Sequence, residues 1–448
     1  MASRWTRLLP LCGAVLVAGG CGGASSSQSG PAGPLLVKAR GYDSWHEAHH
    51  QPLYGATVEV LFTDDSLTDV LQYDGRGDST IWTGTYLASQ AFRYAVTAED
   101  QAKANILKIA DTLHNHLKVT GRPGFIARYR APADGPGVTP CDPGDEDCHV
   151  VTDGPFAGDL WTGDTSRDQY TGWFMGLALA YDFLDDETMR LTIRDDVTEV
   201  IDAVARQGYL IVDVDGMKTG AGPEALPPFA LTWHLIAYHV AGRQQDLDAA
   251  TRIASNRTLY EIATISFNNR YVQYYGNNLS HENYLNAERL SRDFDDIHAL
   301  VQSNFRDQIH KSVHLSHNAF FELIHRAVLA DGDPEVDASI LEDLAAFDDP
   351  PRRGYAVTPP KAAFDPWSVT LVALEQAIPA LSDIIGTAHL QAESAYPVPE
   401  QCSTDFLWQR NPFVLQCDPE PSSKTNPGVD YLIAYWMARY QGLISARD

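Results

Sequence analysis

Basic residues are scarce in this sequence: 33 Lys and Arg stand against 59 Asp and Glu, a formal charge of −26. Phosphate backbones are bound by clustered cations, and no such cluster occurs, so nucleic acid is excluded as a partner. Long apolar runs are missing too, and no stretch would cross a bilayer as a helix. There is no G-x-S-x-G, P-loop, dinucleotide fingerprint or H-E-x-x-H to announce a familiar chemistry. No two cysteines have the C-x-x-C spacing of a structural zinc site. What is present is an apolar fraction of 44% over 448 residues, enough for a sizeable core.

The N-terminus is built differently from the rest. Arg4 and Arg7 precede an apolar run at 8–18, and small residues lead to Cys21, the pattern of an export signal. Ala18-Gly19-Gly20-Cys21 resembles a bacterial lipoprotein lipobox, with Ala three places before the cysteine where Leu is more usual. The resemblance implies removal of 1–20, lipidation of Cys21 by acyl chains such as palmitate, and a cell-envelope protein held to a membrane at the outer membrane or cell surface. An ordinary secretory signal is the alternative. Residues 21–34, rich in Gly, Ser and Pro, read as a flexible tether. The folded domain is then 35–448, with 35–76 as a leading segment packed outside the main body. Cys12 leaves with the signal. The four cysteines remaining besides Cys21 permit three pairings, and proximity favours Cys141–Cys148 and Cys402–Cys417 as two loop staples.

From residue 79 onward apolar residues recur at helical spacing. The pattern predicts helices at 81–96, 99–119, 168–185, 187–207, 229–242, 247–266, 282–290 and on toward 303, 317–330, 334–347, 367–378 and 429–444. Strand signals at 57–62 and 209–214 predict short β ribbons. Long loops fall at 121–155, 348–360 and 396–427. Two helix starts are related: Thr83-Gly84 and Thr171-Gly172 each follow an acidic, hydroxyl-rich segment and precede aromatic and small residues. Weaker echoes occur at 230–238 and 428–436. Gly172 and Gly176 would let another helix approach closely.

Recurrent helical hairpins with long loops between them, and a last helix like the first, resemble the six-hairpin (α/α)-toroid superfamily of glycoside hydrolases and polysaccharide lyases over roughly 75–445. The resemblance implies an all-α toroid, a single domain in which the starts of inner helices and their preceding loops line a funnel carrying carboxylates or a Tyr/His base. A solenoid of helical repeats is the alternative fold.

Three acids sit before the related helices: Asp78, Asp164 and Asp168. As a pair in one mouth they suit glycoside hydrolysis, where one carboxyl protonates the leaving group and another activates water or attacks. As helix caps they would instead satisfy free N–H groups. Candidate substrate-binding residues are Tyr170, Arg167, Asn278, His281, Trp161, Trp408 and Arg410, the tryptophans for stacking on sugar faces. Asn278, His281, Glu282 and Tyr284 lead into a helix and would also suit a lyase, with Arg167 or Arg410 neutralising a uronate. The acidic balance favours a neutral glycan over a polyuronate. A non-catalytic glycan- or ligand-binding surface lipoprotein is the alternative of another class. His310, His314 and His317 would share a helical face, but the expectation is satisfied histidines and no metal. The acids between Cys141 and Cys148 do not follow an EF-hand order and are expected to form an exposed loop. No cofactor is expected.

Overall fold

The computed structural model describes residues 32–135, 140–329, 332–355, 363–382, 386–401, 410–414 and 420–448. Helix makes up 58% and strand 8%, so the chain is mostly helical with a few short sheets, as the sequence pattern predicts. Cys21, Cys402, Trp408 and Cys417 lie outside the described residues.

Six helices bury nearly all of their surface: α2 (Ser79–Thr97), α4 (Arg167–Phe183), α6 (Pro227–Ala241), α9 (Tyr275–Ser291), α11 (Ala319–Leu329) and α14 (Val429–Tyr440). Most of their residues are apolar or small, α9 being the most polar, and helices so largely apolar are stable when enclosed. Five others, α3 (Asp100–Lys118), α5 (Glu187–Arg206), α7 (Gln244–Ser255), α10 (Asp295–Asn304) and α12 (Pro334–Ala346), bury one stripe and expose the rest. A short helix, α13 (Pro366–Ala377), leaves most of its residues exposed. Each buried helix before α13 packs on the outer helix that follows it in sequence, and α14 packs on α1 (Pro34–His49). The buried helices also touch in order, α2 on α4, α4 on α6, α6 on α9, α9 on α11, α11 on α14 and α14 on α2.

Local signals set the boundaries. Asp186 caps α5, its carboxylate accepting from the Met189 amide at 2.9 Å. Pro227 and Pro228 start α6, and Gly242, in the left-handed region at φ +67°, ends it. Asn256 breaks the expected 247–266 helix into α7 and α8 (Arg257–Phe267), accepting from the Leu259 amide. The polar cluster around residue 278 does not precede a helix but lies inside α9. The leading segment is also different from expectation. Residues 34–49 form helix α1, whose Lys38, Ala39, Tyr42, Asp43 and His46 are buried, and Asp43 bonds both Gln90 and Trp436. It is the outer partner of α14, part of the main body rather than a layer outside it.

The strands tie loops together. β1 (Glu59–Phe62) pairs antiparallel with β2 (Val70–Asp74) on one side and β7 (Lys424–Asn426) on the other, and β7 continues to β6 (Arg352–Arg353). The 121–155 loop is organised by a second sheet in the order β3 (Arg130–Pro132), β5 (Asp159–Thr162), β4 (Cys148–Val150). Cys141 and Cys148 are joined there, with Cα atoms 5.5 Å apart. The expected ribbon after residue 209 is present as bridges Leu210↔Glu224 and Val212↔Lys218. No helix among the described residues is long and apolar enough to cross a membrane.

Candidate functional site

A helix contact without intervening side chains brings the two related helix starts together. A Cβ on Gly84 would lie 2.9 Å from the Trp173 amide nitrogen and nearer still to the Gly172 carbonyl; one on Gly172 would lie 2.6 Å from the Ile81 Cα. Backbone meets backbone because these positions carry no side chain. The contact is locked by Gln169, fully buried, whose Oε1 accepts from the Ile81 amide (2.9 Å) while its Nε2 donates to Asp78 Oδ1 (3.1 Å). Gln169 thus satisfies a free N–H of the first turn of α2 and aims a carboxylate in the same stroke.

Asp78 occupies the N-cap position of α2, yet its side chain makes no capping bond. It turns to Gln169, and an Arg128 Nη1 lies 3.8 Å away. Arg128 is itself fixed by backbone carbonyls, donating to Asp164 O from Nε (2.9 Å) and Nη2 (2.7 Å) and to Gly77 O (2.9 Å). Asp168, in the first turn of α4, is half-buried and crowded. Burial pushes its pKa up; Arg167 pulls it down and the Asp78 charge pushes it up again, with a net rise.

A third carboxyl stands behind these two. Glu282, on α9, has no exposed surface. Its Oε1 accepts from Asn278 Nδ2 (3.4 Å) and lies 3.5 Å from the Thr85 hydroxyl, which donates to the Ile81 carbonyl. Its Oε2 has no hydrogen-bond partner. Burial first, with the Asp168 charge adding to it, drives its pKa well above the ordinary glutamate value, against the hydrogen bond from Asn278. The Tyr275 hydroxyl is buried beside Asp168, with the Asp78 and Glu282 carboxyls also acting on it. The starts of α2 and α4 and the first half of α9 therefore bring three carboxyls and a phenol together.

Of the residues expected from the sequence, Asp78, Asp168 and Asn278 join this cluster. Asp164 does not: at φ +45° it accepts from the Gly220 amide (2.5 Å), and its own amide donates to Asp213 (2.8 Å), so it clamps the 213–220 turn. Tyr170 is 1% exposed, donates to the Gly124 carbonyl (2.9 Å) and stacks on Trp233, which removes it from any substrate. Arg167 is held between Phe267 and Phe229, with its guanidinium 4.4 and 5.6 Å from the ring centroids, and donates to the Glu224 carbonyl. Trp161 is 3% exposed, with His149 stacked on it at 4.0 Å, so no ring face is offered to a sugar. Arg410 is half-buried in a segment that reaches Arg270, through Asn411 Nδ2 on its carbonyl (2.8 Å) and Phe413 under its guanidinium (3.9 Å).

Gln169, Tyr275 and Arg128 carry the site without having been singled out for it, and Glu282 was expected only in a cluster that would suit a lyase. A signal existed for Glu282: α9 has the most polar sequence of the enclosed helices, and buried carboxyls without cations are costly unless used. His281, its neighbour, faces the other way. It is fully buried, stacks on Phe321 at 3.8 Å, and meets His310 at 3.1 Å. The expected helical face of three histidines is not formed, because a π-helical turn (Phe305–Ile309) and a 3₁₀ turn (His310–Ser312) interrupt the segment. His317 turns to Asp343 (2.8 Å), while His310 and His314 gather with Glu322 and His325 as a possible ligand set for a metal.

No protein-family model matches this sequence, and no curated protein matches it.

Proposed function

We propose that the chain is a six-hairpin (α/α)-toroid enzyme that hydrolyses a neutral or lightly charged glycan. The toroid is supported by the cyclic packing order of α2, α4, α6, α9, α11 and α14, each with an outer partner. The hydrolytic reading rests on one observation: the helix starts bearing Asp78 and Asp168 abut, with Gln169, beside Asp168 in sequence, donating to Asp78 Oδ1 (3.1 Å), and Asp78 turns away from the cap it could have made.

Two carboxyls with separated tasks are what the reaction uses. Asp168, with its raised pKa, is the acid: its proton goes to the glycosidic oxygen as the bond to the anomeric carbon breaks. Asp78, oriented by Gln169, takes a proton from the attacking water. Elimination is less well served, since Arg167 is engaged by two Phe rings and a carbonyl rather than offered to a uronate. In the same proposal the chain is an exported lipoprotein anchored through Cys21 with its domain carried on a tether, which mass spectrometry of the mature N-terminus tests.

The test of the chemistry is release of reducing ends from a panel of neutral glycans by the purified chain. Asp168→Asn and Asp78→Asn should each lower turnover by about 10²–10⁴-fold with the fold intact. Turnover unchanged in both variants overturns the assignment. Glycan binding without turnover in the parent chain would instead select the surface-lipoprotein alternative.

A further inference from the structure

We propose that His310, His314, Glu322 and His325 form a binding site for one zinc-type divalent transition-metal ion, separate from the carboxylate site and independent of what that site does.

The argument starts from a helix spacing. Glu322-Leu-Ile-His325 is an E-x-x-H pair, and residues three apart on α11 share a face. Opposite this face the chain leaves α10 through a π-helical and a 3₁₀ turn, which present His310 and His314. The donor atoms of all four residues lie within 4.8 Å of one another. His310 Nε2 is 3.2 Å from His314 Nδ1 and 3.2 Å from Glu322 Oε2; His314 Nδ1 is 3.3 Å from Glu322 Oε2; His325 Nδ1 is 3.7 Å from it. Ligands of a tetrahedral zinc ion, with bonds near 2.0–2.1 Å, are separated by roughly 3.3 Å. Three of these four edges match that spacing closely, and the fourth is a few tenths longer.

Hydrogen placement points the same way. His281 Nδ1 sits 2.6 Å from the Asn277 carbonyl oxygen and must carry the hydrogen of that bond. Its Nε2 then accepts, so the hydrogen in the 3.1 Å contact belongs to His310 Nδ1. That leaves His310 Nε2 facing Glu322 Oε2 at 3.2 Å. This is the outer-shell pattern of metal-binding histidines, whose second nitrogen donates to a fixed acceptor. The carboxylate is oriented in turn: Glu322 Oε1 accepts from the Leu315 amide (2.6 Å), leaving Oε2 for the imidazoles. Finally, the buried Nδ1 of His325 has no hydrogen-bond partner at all.

His314 is exposed and lines a cavity of about 710 Å³ beside Lys311 and Leu315, so an ion can reach the cluster from solvent. Three imidazoles and one carboxylate suit zinc better than calcium or magnesium, which take oxygen ligands. With four protein ligands the site is closed, and its effect is to clamp the irregular 305–317 segment to α11.

The experiment uses the purified full chain, freed of metal with a chelator and then dialysed. Zn²⁺ should bind at one ion per chain and raise the melting temperature; Co²⁺ should give the intense visible bands of tetrahedral coordination, bleached by added Zn²⁺. Glu322→Gln and His325→Ala should remove both signals. His317→Ala, whose side chain pairs with Asp343 outside the cluster, should keep them. His314→Ala alters an exposed side chain and serves if the buried variants fail to fold; it should weaken Zn²⁺ binding by roughly tenfold or more. Absence of stoichiometric uptake by the folded parent chain, or affinity unchanged in His314→Ala, overturns the proposal.

Discussion

Replacing Gly84 by Ala tests the contact on which the carboxylate site depends. The added Cβ would fall inside 3.0 Å of the Gly172 carbonyl and the Trp173 amide, a range that real Cβ atoms essentially never show. Both neighbours are helical backbone, so no rotamer change relieves the clash. The helices must separate by on the order of 1 Å, in an interior whose density leaves no slack. Overpacking of this kind costs about 1–3 kcal/mol or more, and the better helix propensity of Ala returns at most about 1 kcal/mol. Because the whole α2–α4 interface is affected, the cost lies toward the upper end of that range, and we expect a net loss of about 2 kcal/mol. The same displacement stretches the Gln169 bridge between the Ile81 amide and Asp78, and a shift of about 1 Å between reacting groups can cost about 10²-fold in rate. Urea unfolding gives the first quantity and reducing-end release the second. Gly332→Ala, with no atom within 4 Å of its new Cβ, is the control. A Gly84→Ala chain as stable as the parent would show that the helices are not in backbone contact, and the argument for Asp78 facing Asp168 would fall with it.

Three further outcomes follow from buried polar groups. Glu288 is 3% exposed, and burial raises its pKa to about 7 despite Arg292 at 3.2 Å. Between the ordinary value of 4.5 and about 7 the unfolded chain has lost this proton while the fold retains it, so its contribution to stability falls as pH rises through that window. Glu288→Gln should therefore exceed the parent in stability above pH about 7, by at most ~3 kcal/mol, with the gain vanishing below about pH 4.5; unfolding at two pH values checks it. Asp182 is the opposite case: burial acts to raise its pKa, but Arg289 and His239 outweigh it and hold it at about 2. That stability is present above the ordinary aspartate value and lost as pH falls toward 2. Asp182→Asn leaves the buried Arg289 guanidinium without its carboxylate and should cost about 3–5 kcal/mol by denaturant unfolding at neutral pH. Tyr170→Phe removes one bond to the Gly124 carbonyl; about 1 kcal/mol should be lost with glycan turnover unchanged, and a large fall in turnover would restore Tyr170 to the site.

Much of the architecture is legible in the sequence because it is local. The 3.6-residue period marks α2 to α6 within a few residues, and Thr-Gly at 83–84 and 171–172 announces two helices with equivalent packing. Cys141 and Cys148, seven residues apart, could be paired by proximity, and they are. Asp78 and Asp168 could be proposed because each precedes a repeated motif. Breaks that depend on a single cap, such as Asn256, or on irregular turns, as between 305 and 312, leave no periodic trace.

What the tertiary structure alone decided is where each polar side chain spends its hydrogen bonds. Asp164 and Asp168 are four residues apart and equally acidic, yet one is held by the Gly220 amide while the other meets Asp78 and Glu282. Tyr170 and Trp161 look like substrate-binding residues in sequence and are core in space. Glu282 and Asp168 are more than a hundred residues apart, as are the reasons for their raised pKa values. Periodicity reports which face of a helix is buried; it cannot report against what. The sequence by itself determined a mostly helical chain with related helix starts and an acid before each. Only the fold brought α9 against α2 and α4, and α11 against the turns after α10, because contacts between distant segments are set by the packing of whole helices and not by neighbours along the chain.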